Sequence, residues 1–232
     1  MINRFVIIVG GGSGTRMQSK VPKQFMLLNG LPVLMHTIKA FANNDSNPTV
    51  ILVLNKLYEG DWDNLCKEYA FNAPHKVVYG GTTRFDSVRN GLNYLRTSFG
   101  DLDQSHIAIH DGVRPLVSQQ LINDGFSLLA NHRALVSAIP SKDSIRIKDN
   151  AKEASIAIDR NTVFLVQTPQ FFSGEILLRA YNQEYNERFT DDASVVENAG
   201  YPIQIIPGDH RNIKITFSED LLLAEALIRS SR

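Results

Sequence analysis

The chain has 232 residues, of which 43% are hydrophobic, and its 24 basic residues balance its 24 acidic ones. This composition is typical of a globular protein, and the balanced charge gives no support for a nucleic-acid partner. The one cysteine, Cys66, excludes an internal disulfide and fits a reducing compartment. Because no apolar run reaches the ~18–20 residues that span a membrane, and the N-terminus lacks a signal-sequence pattern, we expect a cytoplasmic protein without a membrane partner.

Short apolar runs recur along the chain and predict buried strands. They cover residues 5–9, 50–54, 77–79, 107–109, 135–139 and 203–206. Between most of them, apolar side chains recur at helical spacing, and a last helix is predicted over 218–229 with Ser218 as its N-cap. Continuous apolar strands that alternate with amphipathic helices indicate an α/β fold, with a mostly parallel sheet flanked by helices.

Residues 140–161 interrupt this pattern with an alternating polar and apolar stretch. Two pairs of isoleucines flank the turn-rich segment KDNAKE, which predicts a β-hairpin that projects from the sheet. A lone two-stranded hairpin is marginally stable in water, so we expect it to pack against a second copy of the chain. A flexible surface hairpin is the alternative. We therefore expect one domain over 1–232, with 140–161 as a β-arm used in dimerisation.

The segment VGGGSGTRMQSKVPKQF, at residues 9–25, directly follows the first predicted strand. Glycines let the backbone approach a ligand closely, and backbone N–H groups with nearby cations suit a phosphate. The dinucleotide fingerprint G-x-G-x-x-G and the phosphate loop G-x-x-x-x-G-K-[ST] both fail to match, and the zinc motifs H-E-x-x-H and C-x-x-C are absent. The segment thus predicts a nucleotide site of another kind.

Further motifs follow this segment in a fixed order along nearly the whole chain. They are GGSGTRM at 11–17, PKQF at 22–25, GG at 80–81, Arg84, DSV at 86–88, HDGVRP at 110–115, DRN at 159–161, QTPQ at 167–170, TDDAS at 190–194 and NIKIT at 212–216. Together they resemble the 2-C-methyl-D-erythritol 4-phosphate cytidylyltransferase family of the non-mevalonate isoprenoid pathway. The resemblance implies a Rossmann-like sheet of the nucleotidyltransferase type with a projecting β-hairpin arm.

The activity that this resemblance implies is transfer of CMP from CTP to 2-C-methyl-D-erythritol 4-phosphate, with pyrophosphate leaving. Both reactants are anionic, so catalysis consists mainly of alignment and charge neutralisation. The resemblance assigns Lys23 to the α-phosphate in the transition state, Arg16 to the triphosphate, and Lys214 as a partner cation. It assigns Asp111 to Mg²⁺, which commonly takes one or two carboxylates together with substrate phosphates. An Asx turn is the alternative role for Asp111.

The resemblance also implies binding residues for both substrates. The expected nucleotide-binding residues are Gly10, Gly11, Gly12, Gly14, Gly81, Ser87 and Gly112. The expected residues for the sugar-alcohol phosphate are Arg114, Arg160, Thr168 and Thr190, of which Arg160 and Thr190 come from the neighbouring subunit of a homodimer. Ser87 could instead be a plain helix-cap serine, and Thr168 a turn residue before Pro169. His110 is expected to be structural.

Two other functions compete with this interpretation. Ribitol-5-phosphate cytidylyltransferases share the GGxGTRM and PKQF motifs but tend to lack the pair Asp159-Arg160. A non-catalytic homologue should have lost a cation or Asp111, and the chain retains them. The chain also departs from the family pattern, with Gly10-Gly11-Gly12 in place of Ala-Ala-Gly, and with Thr82 where some members carry an acidic residue.

Overall fold

The computed structural model describes residues 2–12, 21–149 and 154–230. Within these ranges, seven strands form a central sheet: β1 Arg4–Val9, β4 Thr49–Leu54, β5 Lys76–Tyr79, β6 His106–Asp111, β7 Ala134–Pro140, β10 Phe164–Ser173 and β11 Gln204–Pro207. Two small antiparallel pairs complete the described strands: β2 Leu27–Leu28 with β3 Leu31–Pro32, and β8 Ile145–Asp149 with β9 Ala154–Ile158. The six predicted apolar runs all fall in the central sheet.

The sheet has the strand order β11-β7-β10-β6-β1-β4-β5 and is mostly parallel. Strand β1 pairs in parallel with both β4 and β6, while β10 runs antiparallel to its two neighbours, β6 and β7. Strand β10 was not predicted, because Pro169 and two glutamines interrupt its apolar pattern. Its register with β7 shifts between Val166 and Gln170, and such an irregularity is where a central strand tolerates proline.

Helices cover both faces of the sheet, as the sequence predicts. In the described part of the chain they are α1 Val33–Ala42, α2 Glu59–Glu68, α3 Arg84–Phe99, α4 Gln119–Leu128, α5 Gly174–Ala180, α6 Asp192–Asn198 and α7 Ser218–Arg229. Along β1, Val6 and Ile8 pack into the core beneath α1, α2 and α4, whereas Phe5 and Ile7 pack towards α3, α5 and α6. None of these helices is long and apolar enough to cross a membrane.

The N-terminus of α7 corrects one sequence expectation. Ser218 is the first helical residue, and its hydroxyl donates to the side chain of Glu219 and does not cap the helix. The carboxylate of Asp220 instead reaches back and accepts from the backbone N–H groups of Thr216, at 2.7 Å, and Phe217, at 2.8 Å. An acidic side chain in the first turn can satisfy these free donors and also favours the helix dipole.

The predicted hairpin is confirmed as a separate two-stranded sheet. Its register places Ile145 opposite Ile158 and Ile147 opposite Ile156. Residues 150–153, which belong to the predicted turn, lie outside the described residues. The side chains of Ile147 and Ile156 are 56% and 60% exposed.

Candidate active site

A cavity of about 380 Å³ opens at the carboxyl ends of β1 and β6. The carboxyl ends of parallel strands meet at one edge of such a sheet, where ligands bind. Backbone hydrogen bonds hold the loops together there. The N–H of Gly10 donates to the carbonyl of Val53, and the N–H of Gly112 donates to the carbonyl of Val9, each at 2.9 Å. The lining residues are Val9, Gly10, Gly11, Gly12, Lys23, Gln24, Asn55, Gly81, Thr82, Thr83, Arg84, Ser87, Asp111, Val113 and Lys214.

Lys23 enters the cavity from a short 3₁₀ turn, Lys23–Phe25. Phe25 anchors this turn in the core, where its ring stacks on Trp62. Between them, Gln24 is 1% exposed, and its Nε2 atom has no hydrogen-bond partner among the residues that the structure describes. A buried donor without a partner is costly unless a ligand or water satisfies it. Gln24 is among the residues that line the cavity, although its Nε2 atom is itself buried.

Asp111 is the acidic centre of the site. Its carboxylate accepts from Lys214 Nζ at 2.8 Å, and it also faces Arg114 Nε at 3.6 Å and Arg84 Nε at 3.8 Å. Burial by itself would raise the pKa of Asp111, but Arg84, Lys214 and Arg114 outweigh burial and hold that pKa well below its usual range. The carboxylate is therefore ionised at neutral pH and holds Arg84 and Lys214 at one end of the cavity, with Arg114 behind it.

A buried hydrogen-bond network supports Asp111 from behind. The hydroxyl of Thr168 accepts from the backbone N–H of Asp111 at 3.0 Å and lies 3.1 Å from His110 Nδ1. His110 Nε2 lies 3.1 Å from the carbonyl of Arg114, which assigns its proton to Nε2. Burial lowers the pKa of His110 to about 4, so the ring is neutral. These contacts give His110 a structural position, as expected.

Arg114 and Thr168 lie behind Asp111 and not among the residues that line the cavity. Arg114 is 9% exposed, and its Nη1 atom donates to the carbonyl of Asn212 at 2.7 Å. The side-chain amide of Asn212 donates in turn to the Thr168 carbonyl at 2.8 Å. This arrangement fixes the segment that carries Lys214. Direct contact of Arg114 and Thr168 with a substrate stays a prediction.

The opposite wall is the loop that leads into α3. A capping box begins this helix, because the Thr83 hydroxyl accepts from the Asp86 N–H while the Asp86 carboxylate accepts from the Thr83 N–H. Thr82 also donates to Asp86, at 2.9 Å, so it belongs to this cap. A Cβ on Gly81 would lie 2.3 Å from Asp86 Cβ, so only glycine fits at this position.

Ser87 lies inside α3, one turn after the cap, so its alternative role as a helix-cap serine is wrong. Its hydroxyl accepts from the Gly81 N–H at 3.2 Å and donates to the Thr83 carbonyl at 2.9 Å. Gly112 is equally constrained, since a Cβ there would lie 2.9 Å from Leu34 Cδ1 and 3.1 Å from the Val9 carbonyl oxygen. Gly112 is not among the residues that line the cavity, but it lies against Val9 and Gly10, which are.

A model of the 2-C-methyl-D-erythritol 4-phosphate cytidylyltransferase family, IspD, matches residues 4–230. The chain belongs to this family of nucleotidyltransferases. The family protein of Azobacteroides pseudotrichonymphae is 44% identical over 229 residues, which are 98% of this chain and all of that protein. The protein of Porphyromonas gingivalis is 45% identical over 228 residues, 98% of each chain.

Solved structures agree with this assignment. The 4-diphosphocytidyl-2C-methyl-D-erythritol synthase of Anaerococcus prevotii superposes with a TM-score of 0.81 at 29% identity, covering 98% of this chain and 99% of its own. The cytidylyltransferase of Thermus thermophilus gives a TM-score of 0.75 at 27% identity, over 98% and 100% of the two chains. The predicted α/β fold of the nucleotidyltransferase type is thus confirmed.

Not every residue that the resemblance to the cytidylyltransferase family assigned to the site lines the cavity. Arg160 lies on an exposed 3₁₀ turn, Arg160–Thr162, and its Nη1 donates to the Lys142 carbonyl at 3.1 Å. Thr190 is exposed immediately before α6. Gly14 and Arg16 lie outside the described residues.

Sequence reasoning assigned no role to Gln24, Asn55 or Arg84, although all three line the cavity. Gln24 belongs to the PKQF motif, and Arg84 is a single-residue match to the cytidylyltransferase family, so the sequence offered a signal for both. Arg84 is held by a bidentate pair with Asp192, with distances of 2.8 Å from Nη1 to Oδ1 and 2.6 Å from Nη2 to Oδ2. Burial opposes the charge of Arg84, but Asp192 and Asp111 raise its pKa above the usual range, so it remains a cation.

Proposed function

We propose that this chain transfers CMP from CTP to 2-C-methyl-D-erythritol 4-phosphate, giving 4-diphosphocytidyl-2-C-methyl-D-erythritol and pyrophosphate. The observation that supports this function is the cavity in which Lys23, Arg84 and Lys214 face a glycine-lined wall around Asp111. Cations and backbone N–H groups in this arrangement suit a triphosphate and the negative charge that develops during its cleavage.

In this reaction a phosphate oxygen of the acceptor attacks the α-phosphorus of CTP, and the bond to the pyrophosphate oxygen breaks. Lys23 stabilises the charge on the α-phosphate, and Lys214 assists it as the partner cation. Both tasks raise the rate because cations that are already in place need not reorganise as charge builds up. His110 takes no part as a base, since it is buried and hydrogen-bonded on both ring nitrogens. A phosphate dianion is itself an adequate nucleophile.

Mg²⁺ is part of the proposal, and Asp111 is the residue that would hold it. Its carboxylate is ionised, lines the cavity and offers the hard oxygen ligands that Mg²⁺ prefers. The described residues contain no group of three or more His, Cys, Asp or Glu that could hold a metal ion. A single carboxylate fits Mg²⁺, because substrate phosphates commonly supply its other ligands. When bound, Mg²⁺ would neutralise phosphate charge.

The proposal further includes a homodimer in which the arm, residues 140–161, delivers Arg160 to the acceptor phosphate of a second copy. Arginine suits this task because its planar fork can bind phosphate in a bidentate manner. The exposed Ile147 and Ile156 support the idea that the arm packs against another surface. Thr190 would contribute to the same acceptor site. A cytoplasmic location also stays a proposal.

The test is a pyrophosphate-release assay with CTP and Mg²⁺, comparing 2-C-methyl-D-erythritol 4-phosphate with ribitol 5-phosphate, and repeating each reaction with UTP. Turnover with CTP and methylerythritol phosphate alone is the expected result. Turnover with ribitol phosphate alone would retain the nucleotide site but overturn the acceptor assignment. Release in the absence of any acceptor would indicate hydrolysis and contradict the transfer reaction.

A further inference from the structure

We propose that Arg84 is a positioning residue for the transfer reaction, acting as a rigid link between the Asp111 carboxylate in the cavity and the buried start of α6. This inference rests on the proposed function. It is carried by the pair of short contacts from the Arg84 guanidinium to Asp192, a residue 108 positions further along the chain. The remaining nitrogen of the same guanidinium faces the Asp111 carboxylate.

On the nucleotide side, Arg84 is the first residue of α3 and follows the capping residue Thr83. That turn also holds Gly81 and Ser87 in the wall of the cavity. Any displacement of Arg84 therefore moves the wall as well. Arg84 Nε lies 3.8 Å from Asp111 Oδ1, on the side of the carboxylate away from the Oδ2 atom that Lys214 contacts. Arg84 and Lys214 thus fix the carboxylate from two sides.

At the other end of the link, Asp192 is completely buried at the start of α6, two residues after Thr190. The hydroxyl of Tyr181 donates to Asp192 Oδ1 at 2.6 Å, so the carboxylate is held on both flanks. Gln170 secures the same turn to strand β10, since its Oε1 accepts from the Ala193 N–H and its Nε2 donates to Asp191 Oδ2, both at 2.8 Å. The loop that presents Thr190 is thereby fixed to the sheet.

The geometry requires arginine and not merely a positive charge. A guanidinium can donate two parallel bonds to Asp192 and still direct its Nε towards Asp111, whereas a lysine ammonium is a point charge without this fork. The rigid link holds the Nε of Arg84 towards the Asp111 carboxylate, whose other oxygen contacts Lys214, and so fixes the charged groups of the cavity relative to one another. Misplacement of reacting groups by about 1 Å can cost on the order of 10²-fold in rate, so a loosened link should lower turnover.

The experiment compares Arg84→Lys with wild type, using Arg179→Lys as the matched control. Arg179 forms an exposed ion pair with Glu175 on α5, and its side chain is 64% exposed. We expect Arg84→Lys to lower kcat by about 10- to 100-fold while the Kd for CTP changes by less than about 3-fold, and Arg179→Lys to stay within about 2-fold of wild type. The melting temperature and circular dichroism report folding.

A second variant separates positioning from plain structural damage. Tyr181→Phe removes the bond that holds Asp192 from its other flank, and we expect a loss in kcat of several-fold on its own. Because both changes loosen the same link, Tyr181→Phe should cause little further loss in the Arg84→Lys background. If the double variant instead loses kcat by the product of the two single-variant losses, the inference is overturned.

Other outcomes also decide between the proposals. If Arg84→Lys keeps kcat within about 3-fold of wild type, or loses CTP affinity and thermal stability together with kcat, Arg84 is not a positioning residue. If wild type uses ribitol 5-phosphate alone, the proposed function fails. The ratio of variant to wild-type kcat, measured with that acceptor, still tests the role of Arg84. A wild-type enzyme that turns over neither acceptor would overturn both.

Discussion

The cavity and the arm are built in opposite ways. In the cavity, charged groups are tied to one another, as Asp111 is to Lys214 and Arg84 to Asp192, and their supports are buried. In the arm, two isoleucines on paired strands are more than half exposed, and Arg160 lies on the surface. The contrast fits the proposed homodimer, in which one chain supplies the described nucleotide wall and the arm of a second copy would complete the acceptor half.

The energetics of the two regions support this contrast. An isolated hairpin is marginally stable in water, and full burial of an isoleucine side chain contributes about 1.5–3 kcal/mol. Burying Ile147 and Ile156 against a second copy would therefore stabilise the arm itself. Around the cavity most of the support is already internal, although Gln24 Nε2, Arg114 Nε and Asn212 Oδ1 are buried without a hydrogen-bond partner among the described residues.

The largest expected effect comes from Lys23→Ala, which removes a cation from the cavity. By analogy with the loss of one transition-state donor, we expect kcat to fall about 10²-fold, or roughly 3 kcal/mol, while the fold and the dimer stay intact. Steady-state pyrophosphate release measures this change, and Lys67→Ala, on the exposed surface of α2, is the control. Near-normal turnover of the Lys23 variant would remove Lys23 from the mechanism.

The next effect separates the two regions directly. Arg160→Ala should raise the KM for the acceptor about 10- to 50-fold, because a charge-assisted hydrogen bond to phosphate is lost, and leave the KM for CTP nearly unchanged. Lys148→Ala, on the same arm, controls for removal of a positive charge. Equal changes in both KM values would mean that the arm does not serve the acceptor alone.

A smaller effect is expected when the arm loses its apolar surface. Ile147→Asp should raise the dissociation constant of the dimer by about 10-fold or more, since a charge replaces a side chain that is buried on assembly. Sedimentation velocity over a range of concentrations measures this constant. Leu57→Asp introduces the same charge at a side chain that is 84% exposed, and should have no effect. A dimer equally weakened by both variants would argue against an interface at the arm.

The smallest expected effect is on the pH dependence of stability, and it concerns His106, at the opposite end of β6 from Asp111. Burial, with a contribution from Arg4, lowers the pKa of His106, and the backbone of Phe126 opposes this shift in part. As the pH falls, the unfolded state, in which the His pKa is about 6.5, therefore binds a proton before the folded state does. The stability that neutral His106 contributes is present above about pH 6.5 and is lost as the pH falls further.

Urea unfolding at pH 7.5 and 5.5 measures this contribution. His106→Gln should reduce the pH dependence of the free energy of unfolding by roughly 1 kcal/mol or less, without changing kcat at pH 7.5. The same substitution at the exposed His132 serves as the control. A slope for His106→Gln that equals that of wild type would show that His106 is not protonated differently in the two states.

The predictability of the molecule from sequence also differs by region. Strands β1, β4 and β6 were predicted because they are buried on both faces and read as continuous apolar runs. Strand β10 escaped prediction because Pro169 lies in its middle, in a part of the strand that contacts the site network. Local hydrophobic periodicity cannot detect a strand whose polar residues are satisfied by distant partners.

For the site, the motifs predicted Lys23, Asp111 and Lys214, and the structure brings these three residues to one cavity. The role of Arg84 was out of reach, since it depends on pairing with Asp192, far away in the sequence and buried by the fold. Thr168 and Arg114 were visible as motif residues, but their places behind Asp111 follow from three-dimensional contacts. Spacing along the chain readily identifies the residues of a site. It does not identify the partners that those residues contact in the folded protein.

In the proposed homodimer the arm of one copy completes the cavity of the other, and a mixed dimer provides the decisive experiment. Lys23→Ala has a defective cavity with an intact arm, and Arg160→Ala has the reverse. When the two variants are coexpressed, we predict that about a quarter of the sites regain wild-type kcat and acceptor KM, because half of the dimers are mixed and each restores one site. Activity equal to the average of the two separate variants would contradict the claim.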